Sequence, residues 1–192
     1  ILSIKVDPSE IDFGVVPDKV LVNGRHYLID DNDVNNMVGP SFRYHRIFND
    51  NYFLESPRNK NVLVLLPYFD REIIDIINLV NGICNLDVSF HVKFHPAVSI
   101  RKYKKLLSPD VVIRTDDIYD LFKTTKIVIG AATGSMVEAA CFSIPSIVIK
   151  NIDGITLNYF DEYGKGIIWD YAENINDILL LLNKYNQTLS QN

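Results

Sequence analysis

The chain has 192 residues, 47% of them hydrophobic and 22% charged, with a formal net charge of −5. This is a globular composition, long enough for one domain with a substantial core and part of another. The acidic balance excludes a general nucleic-acid binder, and no apolar run approaches the roughly 18 residues that span a bilayer.

The first sixty residues are irregular. The chain enters on ILSIKV at Ile1, without a signal-peptide pattern, and reads as part of a longer protein. VPDKVLVNG (16–24) predicts a strand ending in a turn. Acids and amides in 28–42 predict a loop with a short helix, and FLESPRNKN (53–61) predicts a linker. From residue 62 the pattern changes. VLVLLP (62–67) is a short apolar run stopped by proline and predicts a buried strand. Apolar pairs at helical spacing over 71–83 predict a helix, with Asp70 at the N-cap position and Gly82 near the end. DVSFHVKF (87–94) alternates as a strand that is expected near a sheet edge and ends at His95-Pro96. A short amphipathic helix follows over 99–107, with Ser99 as its cap. Its RKYKK run (101–105) reads as a solvated basic face.

DVVIRT (110–115) predicts a strand, DDIYDLFKTT (116–125) an acid-capped helix, and KIVIGA (126–131) a strand. GSMVEAACFS (134–143) predicts a helix, SIVIK (146–150) a strand, GIIWDY (166–171) a last short strand, and 174–187 a helix. Strand and helix alternating this regularly predict βαβ units with right-handed crossovers. The expected fold is therefore α/β, a doubly wound Rossmann-like parallel sheet with helices on both faces. Residues 61–192 would form it, and 1–60 would hold an inter-domain crossover segment and a first strand. Cys84 and Cys141 lie in apolar surroundings without metal-ligand spacing and read as buried free thiols in a reducing compartment.

In such a sheet, ligands bind beyond the carboxyl ends of the strands. That rule selects the loops holding Pro67 to Asp70, His95 and Pro96, Thr115 to Asp117, Ala132 to Ser135, and Asn151 with Asp153. Thr133, Gly134 and Ser135 open a helix. Its free N–H groups and positive dipole end suit a phosphate, with two hydroxyls to donate. Glu138 lies one turn further on, placed to accept from a ribose diol. A helix capped and packed by small residues would show the same pattern. His95 can donate to a phosphate oxygen, and Lys93, on the same strand face, can add positive charge. His26, His45 and His91 have no comparable context and read as structural. No metal constellation, P-loop, dinucleotide fingerprint or nucleophile elbow is present in the sequence.

KFHP (93–96) and TGSMVEAACFSIPSIVI (133–149), taken together, resemble the carboxyl-terminal donor-binding domain of GT-B-fold glycosyltransferases. The capsule and cell-wall groups are the most similar: polysialyltransferase-like, Kdo-transferase-like and CDP-glycerol glycerophosphotransferase-like enzymes. They carry an HP at a strand end and a Ser/Thr-rich stretch leading into a Glu-Ala helix and a small-x-Pro turn. The matching residues are His95, Pro96, Thr133, Ser135, Glu138, Ala139 and Pro145. Many members have consecutive serines or threonines where this chain has Ala131-Ala132-Thr133-Gly134-Ser135.

The resemblance implies that His95, Thr133 and Ser135 contact donor phosphates, with Glu138 near the ribose or base. It implies half of a glycosyltransferase of bacterial surface polysaccharide synthesis. The donor would be CMP- or CDP-linked, with UDP-sugars less favoured. His95 would serve catalytically by neutralising the leaving phosphate. Tyr68, Lys93, Pro96, Asp116, Thr133, Gly134, Ser135 and Glu138 would bind substrate. No metal cofactor is expected, the nucleotide sugar being a substrate. A glycan or lipid-linked acceptor, and the base activating it, would belong to an amino-terminal domain upstream of Ile1. The expected location is cytoplasmic, with peripheral association at the inner membrane face as a variant. A sugar-nucleotide epimerase-like domain and a non-catalytic Rossmann-like partner module are the alternatives.

Overall fold

The computed structural model describes residues 7–22, 24–25, 28, 35–40, 47, 61–131, 133–151, 160 and 164–190. The chain divides into two compact units, Ile1–Asn49 and Asp50–Asn192. Of the linker expected over 53–61, residues 53–60 lie outside the described residues, as do His26, His45, Ala132 and Asp153, while Asn61 already belongs to a strand.

In the first unit, helix α1 (Pro8–Asp12) starts where physical chemistry places it. Asp7 accepts from the Ser9 N–H, Glu10 reaches back to the Asp7 N–H at 2.8 Å, and proline occupies the first turn. Strands β1 (Val20–Val22) and β2 (Asn36–Val38) pair in parallel, Val20 opposite Asn36. The second strand stands in the stretch 28–42 where a loop with a short helix was expected; residues 29–34 and 41–42 of it lie outside the described residues. Its three residues take their conformation from a partner distant in sequence, which no local pattern reports.

The second unit is a six-stranded sheet in which every pairing is parallel. Its strands are β3 (Asn61–Leu65), β4 (Ser89–Lys93), β5 (Val112–Ile113), β6 (Thr125–Gly130), β7 (Ser146–Ile149) and β8 (Trp169–Ala172). The spatial order is β5-β4-β3-β6-β7-β8. Counted from β3, that is 3-2-1-4-5-6, the doubly wound Rossmann order. The α/β expectation is met. Strand β4 sits one place from the edge, covered on that side by the two residues of β5.

Alternate residues of each strand face opposite layers. Val62, Val64, Phe90, Val92, Ile127, Ile129 and Ile147 join one core with Ile73, Ile76, Ile77 and Val80 of α2 (Asp70–Asn81). Ile178, Leu181, Leu182 and Tyr185 of α6 (Ile175–Ser190) complete it. Helices α4 (Ile118–Phe122) and α5 (Gly134–Cys141) pack on β6 and β7. Tyr119, Phe122 and Phe142 form a buried aromatic cluster there, with centroids 5.6 to 6.1 Å apart.

Several boundaries differ from the sequence expectation. Phe69, not Asp70, is the N-cap of α2, and Asp70 is its first helical residue. Asp117 does cap α4, accepting from the Tyr119 N–H. Helix α3 (Ile100–Tyr103) is four residues long and tightens into a 3-10 turn over Lys104–Leu106. Ser99 is its N-cap by position, without a side-chain capping bond. Only Val112 and Ile113 of 110–115 are in the sheet. Residues 166–168 form a turn held by the Gly164 carbonyl, with Gly164 and Gly166 at positive φ, so the last strand starts at Trp169. Helix α5 ends two residues early, and Ser143 takes φ 54° before the Ile144-Pro145 turn. The cysteines are free, but Cys84 is half-buried and Cys141 is exposed at the last turn of α5.

Among the described residues, no helix is long and apolar enough to cross a membrane.

Candidate functional site

The strand order reverses between β3 and β6, which sit side by side at the centre of the sheet. Crossovers from these two strands leave in opposite directions, and their carboxyl ends are where a doubly wound sheet places its ligand crevice. Leu65 of β3 stands level with Lys93 of β4 and with Gly130 of β6. The loops after these three strands hold most of the residues selected from sequence.

On the β6 side, Gly130 has no room for a side chain. A Cβ there would stand 2.7 Å from the Leu65 carbonyl oxygen and 3.3 Å from the Met136 sulfur. The missing atom lets α5 begin close to the sheet edge. Thr133 is its N-cap in extended conformation, yet its side chain makes no capping bond. Its Oγ1 is buried without a hydrogen-bond partner. A buried hydroxyl left unpaired costs about 1–3 kcal/mol, so this atom stands in a position that a ligand oxygen would relieve. Gly134 and Ser135 follow, both half-buried. Glu138, one turn on, is only 4% exposed, so its carboxylate is enclosed in α5's packing rather than displayed at the surface.

Between and beyond, the structure brings Tyr68 and His95 together. The rings meet edge to face, centroids 5.6 Å apart. His95 is exposed, and its Nδ1 accepts from the Ala97 N–H at 3.2 Å. Pro96 is exposed beside it. Neighbouring strands lie about 4.8 Å apart. The ends of β4 and β6, separated by β3, are thus about 10 Å apart, and His95 and Thr133 follow those two ends.

Lys93 and Asp116 form a second pair. Lys93 Nζ donates to the Asp116 backbone carbonyl at 2.6 Å. The Asp116 carboxylate instead accepts from Arg114 Nε at 2.8 Å. That guanidinium holds the Asp116 carboxyl below the usual carboxylate range. Arg114 Nη1 also lies 3.3 Å from His91 Nδ1, and burial, then Arg114, lowers the His91 pKa. Asp116 follows β5, three strands from β6, so it is the outlying member of the set.

A cleft of about 330 Å³ opens beside these loops, lined by Tyr68, Phe69, Asp70, Val98, Lys102 and Tyr103 among others. Tyr68 and Phe69 are 57% and 65% exposed. Lys102 and the Tyr103 hydroxyl both hydrogen-bond the Asp70 carboxylate. Lys102 first, then Tyr103, depresses the Asp70 pKa. Sequence reasoning placed Phe69 in the loop after β3 but missed Lys102, Tyr103 and Arg114. The basic run was read as solvated, and Arg101, Lys104 and Lys105 are exposed, but Tyr103 is buried and Lys102 lines the cleft. A tyrosine interrupting four cations was the one local sign that this helix has an inward face.

The group of residues fits an anion held at backbone N–H groups, hydroxyls and an imidazole. Among the described residues, no cluster of three or more His, Cys, Asp or Glu side chains could hold a metal ion.

No family model matches the chain, and no curated protein matches it. Among solved structures it is similar to the wall teichoic acid polymerase TagF. One structure of that protein aligns over 89% of this chain and 48% of its own, at 19% identity and a TM-score of 0.47. A second aligns over 77% and 40%, at 16% identity and a TM-score of 0.43. A third aligns over 98% and 54%, at 15% identity and a TM-score of 0.46. The chain spans about half the length of the solved chains to which it is similar.

Proposed function

We propose that the Asp50–Asn192 unit is the donor-binding half of a GT-B glycosyltransferase, taking a CMP- or CDP-linked donor for bacterial surface polysaccharide synthesis. One observation carries the reading. The sheet reverses between β3 and β6, and the loops selected from sequence for Tyr68, His95 and Thr133–Ser135 follow β3, β4 and β6 at that reversal. The separation of about 10 Å between the ends of β4 and β6 suits a diphosphate approached from two sides.

In this reading the donor phosphates lie between His95 and the start of α5. Thr133 Oγ1 donates to a phosphate oxygen and gains the partner it lacks in the free protein. The α5 dipole and the His95 ring neutralise charge that grows on the departing phosphate. Lys93 adds a positive field from the neighbouring strand end. Charge neutralisation is assigned to these protein groups rather than to a metal. The acceptor, a glycan or lipid-linked chain, and the base that activates it are assigned to a further domain.

Calorimetric titration of the chain with CMP, CDP, UMP and UDP tests the reading. Cytidine nucleotides are expected to bind without transfer activity, CDP more tightly than CMP. Absence of binding by all four would overturn it.

A further inference from the structure

His91 and Lys93 alternate along β4 with Phe90 and Val92, which join the α2 core, so they lie on the opposite face of the sheet. Leu63 of β3 and Val112 of β5 stand level with His91 and bring no charge. Arg114 reaches the ring from just beyond β5. Its backbone N–H donates to the Val92 carbonyl at 2.8 Å, which fixes its place beside β4. Its Nη1 lies 3.3 Å from His91 Nδ1, and its Nε donates to the Asp116 carboxylate at 2.8 Å. A guanidinium has no acceptor, so the contact with His91 requires an unprotonated Nδ1 and a neutral ring. The guanidinium is thus held between two acceptors, one on β4 and one in the loop after β5. Lys93 ties the same loop to β4 a second time, donating to the Asp116 carbonyl at 2.6 Å.

Protonation removes one of these anchors. An imidazolium only donates, so the Arg114 bond is lost and two cations face each other. Arg114 and Asp116 are the charged groups that act on the ring, the first against its charge and the second for it. Burial, then Arg114, keeps the His91 pKa below its ordinary 6.5. In the elements that follow, Asp117 caps α4, and Asp120 and Lys123 pair with each other at 2.7 Å. Asp116, held below the usual carboxylate range, stays ionised while His91 titrates. Arg114 then keeps Asp116 alone, with side chains 30% and 46% exposed, and so solvated an ion pair fixes little by itself.

We propose that Arg114 is a positioning residue for the loop Thr115–Asp117 and that neutral His91 latches it, so that protonating His91 loosens the loop. The latch goes beyond the nucleotide reading and does not rest on it. The test is an NMR titration of the ¹⁵N-labelled chain from about pH 7.5 to 4.5, reading histidine rings and backbone relaxation together. Order parameters of Thr115–Asp117 are expected to fall from about 0.85 toward 0.6 with the midpoint of the His91 ring, while β3 and β6 stay rigid. His91→Gln keeps a neutral acceptor that does not titrate, so its loop should stay ordered throughout. Arg114→Ala should loosen the loop already at neutral pH and raise the His91 midpoint, because it removes the neighbouring positive charge. A loop whose order does not change across the His91 titration overturns the latch. So does a loss of order that persists in His91→Gln, or one shared by β3 and β6, which would be global unfolding. A loop as rigid in Arg114→Ala as in the parent overturns the role of Arg114. No nucleotide enters these measurements, so their outcome and that of the CDP titration are decided separately.

Discussion

Tyr68 and His95 meet edge to face at 5.6 Å, although 26 residues of chain lie between them and they follow different strands. The contact exists because β3 and β4 are paired in register, Leu65 opposite Lys93. Leu66 N–H extends the ladder by donating to the Lys93 carbonyl at 2.9 Å. It orients an exposed imidazole at the crevice. His95→Ala should therefore weaken CDP binding by roughly ten- to a hundredfold, the loss of one hydrogen bond to a charged group, about 1.5–3 kcal/mol. The thermal midpoint should not change, because the ring is exposed. Calorimetry and a melting curve on the same sample check both halves.

Thr133→Val separates ligand binding from folding in another way. The substitution replaces an unpaired buried hydroxyl with a methyl of the same shape. Stability in urea should stay level or rise by up to about 1 kcal/mol. Nucleotide affinity should fall, since the hydroxyl is assigned to a phosphate oxygen. Equal affinity in the two proteins would remove Thr133 from the site.

Gly130→Ala should destabilise the sheet by about 1–3 kcal/mol, the range for overpacking a close-packed position. The new Cβ would meet the Leu65 carbonyl oxygen at 2.7 Å, and backbone cannot swing aside as a side-chain tip can. A lower urea midpoint with an unchanged slope is the expected signature.

Asp70 ties the start of α2 to Lys102 and Tyr103 of α3. Its folded pKa is lowered, first by Lys102 and then by Tyr103. The stabilisation is therefore complete above the ordinary Asp value of about 3.9 and is lost as the pH falls through the lower folded pKa. Asp70→Asn should be less stable than the parent at neutral pH, and the two should converge in strong acid. Urea midpoints measured from pH 7 downward would show it. A gap that persists at the acid end would assign the effect to packing instead.

Glu72 behaves with the opposite sign. Burial first, then the Asp75 charge, raises its pKa. Asn151 donates to it from the end of β7 at 3.4 Å. An acid with a raised folded pKa costs stability once the pH exceeds its unfolded value of about 4.3. Glu72→Gln should stabilise the protein at neutral pH by a few tenths of a kcal/mol, the group being half-buried and still partly screened by solvent. The gain should vanish below that unfolded value. A destabilised variant at pH 7 would show that the Asn151 bond outweighs the burial cost.

Local pattern carried much of this protein. The apolar runs ending in Pro67, His95-Pro96 and Gly130, alternating with helical spacing, were enough for a parallel α/β sheet, because period-2 and period-3.6 burial are properties of the chain itself. The same pattern located the strand-end loops, since ligand-facing loops follow strands. Where a partner distant in sequence decides the outcome, the pattern was silent. Strand β2 exists only through β1, and β5 keeps two residues because His91 and Val92 are all it pairs with. Asp70 looks like a cap but is drawn to Lys102 and Tyr103, whose charge and hydroxyl outcompete a backbone N–H. Glu138 looks like a displayed acid but is enclosed, because α5 packs against the sheet at a glycine. Above all, the order β5-β4-β3-β6-β7-β8 is a tertiary property, and that order alone puts the loops of Tyr68, His95 and Thr133 after three adjacent strands.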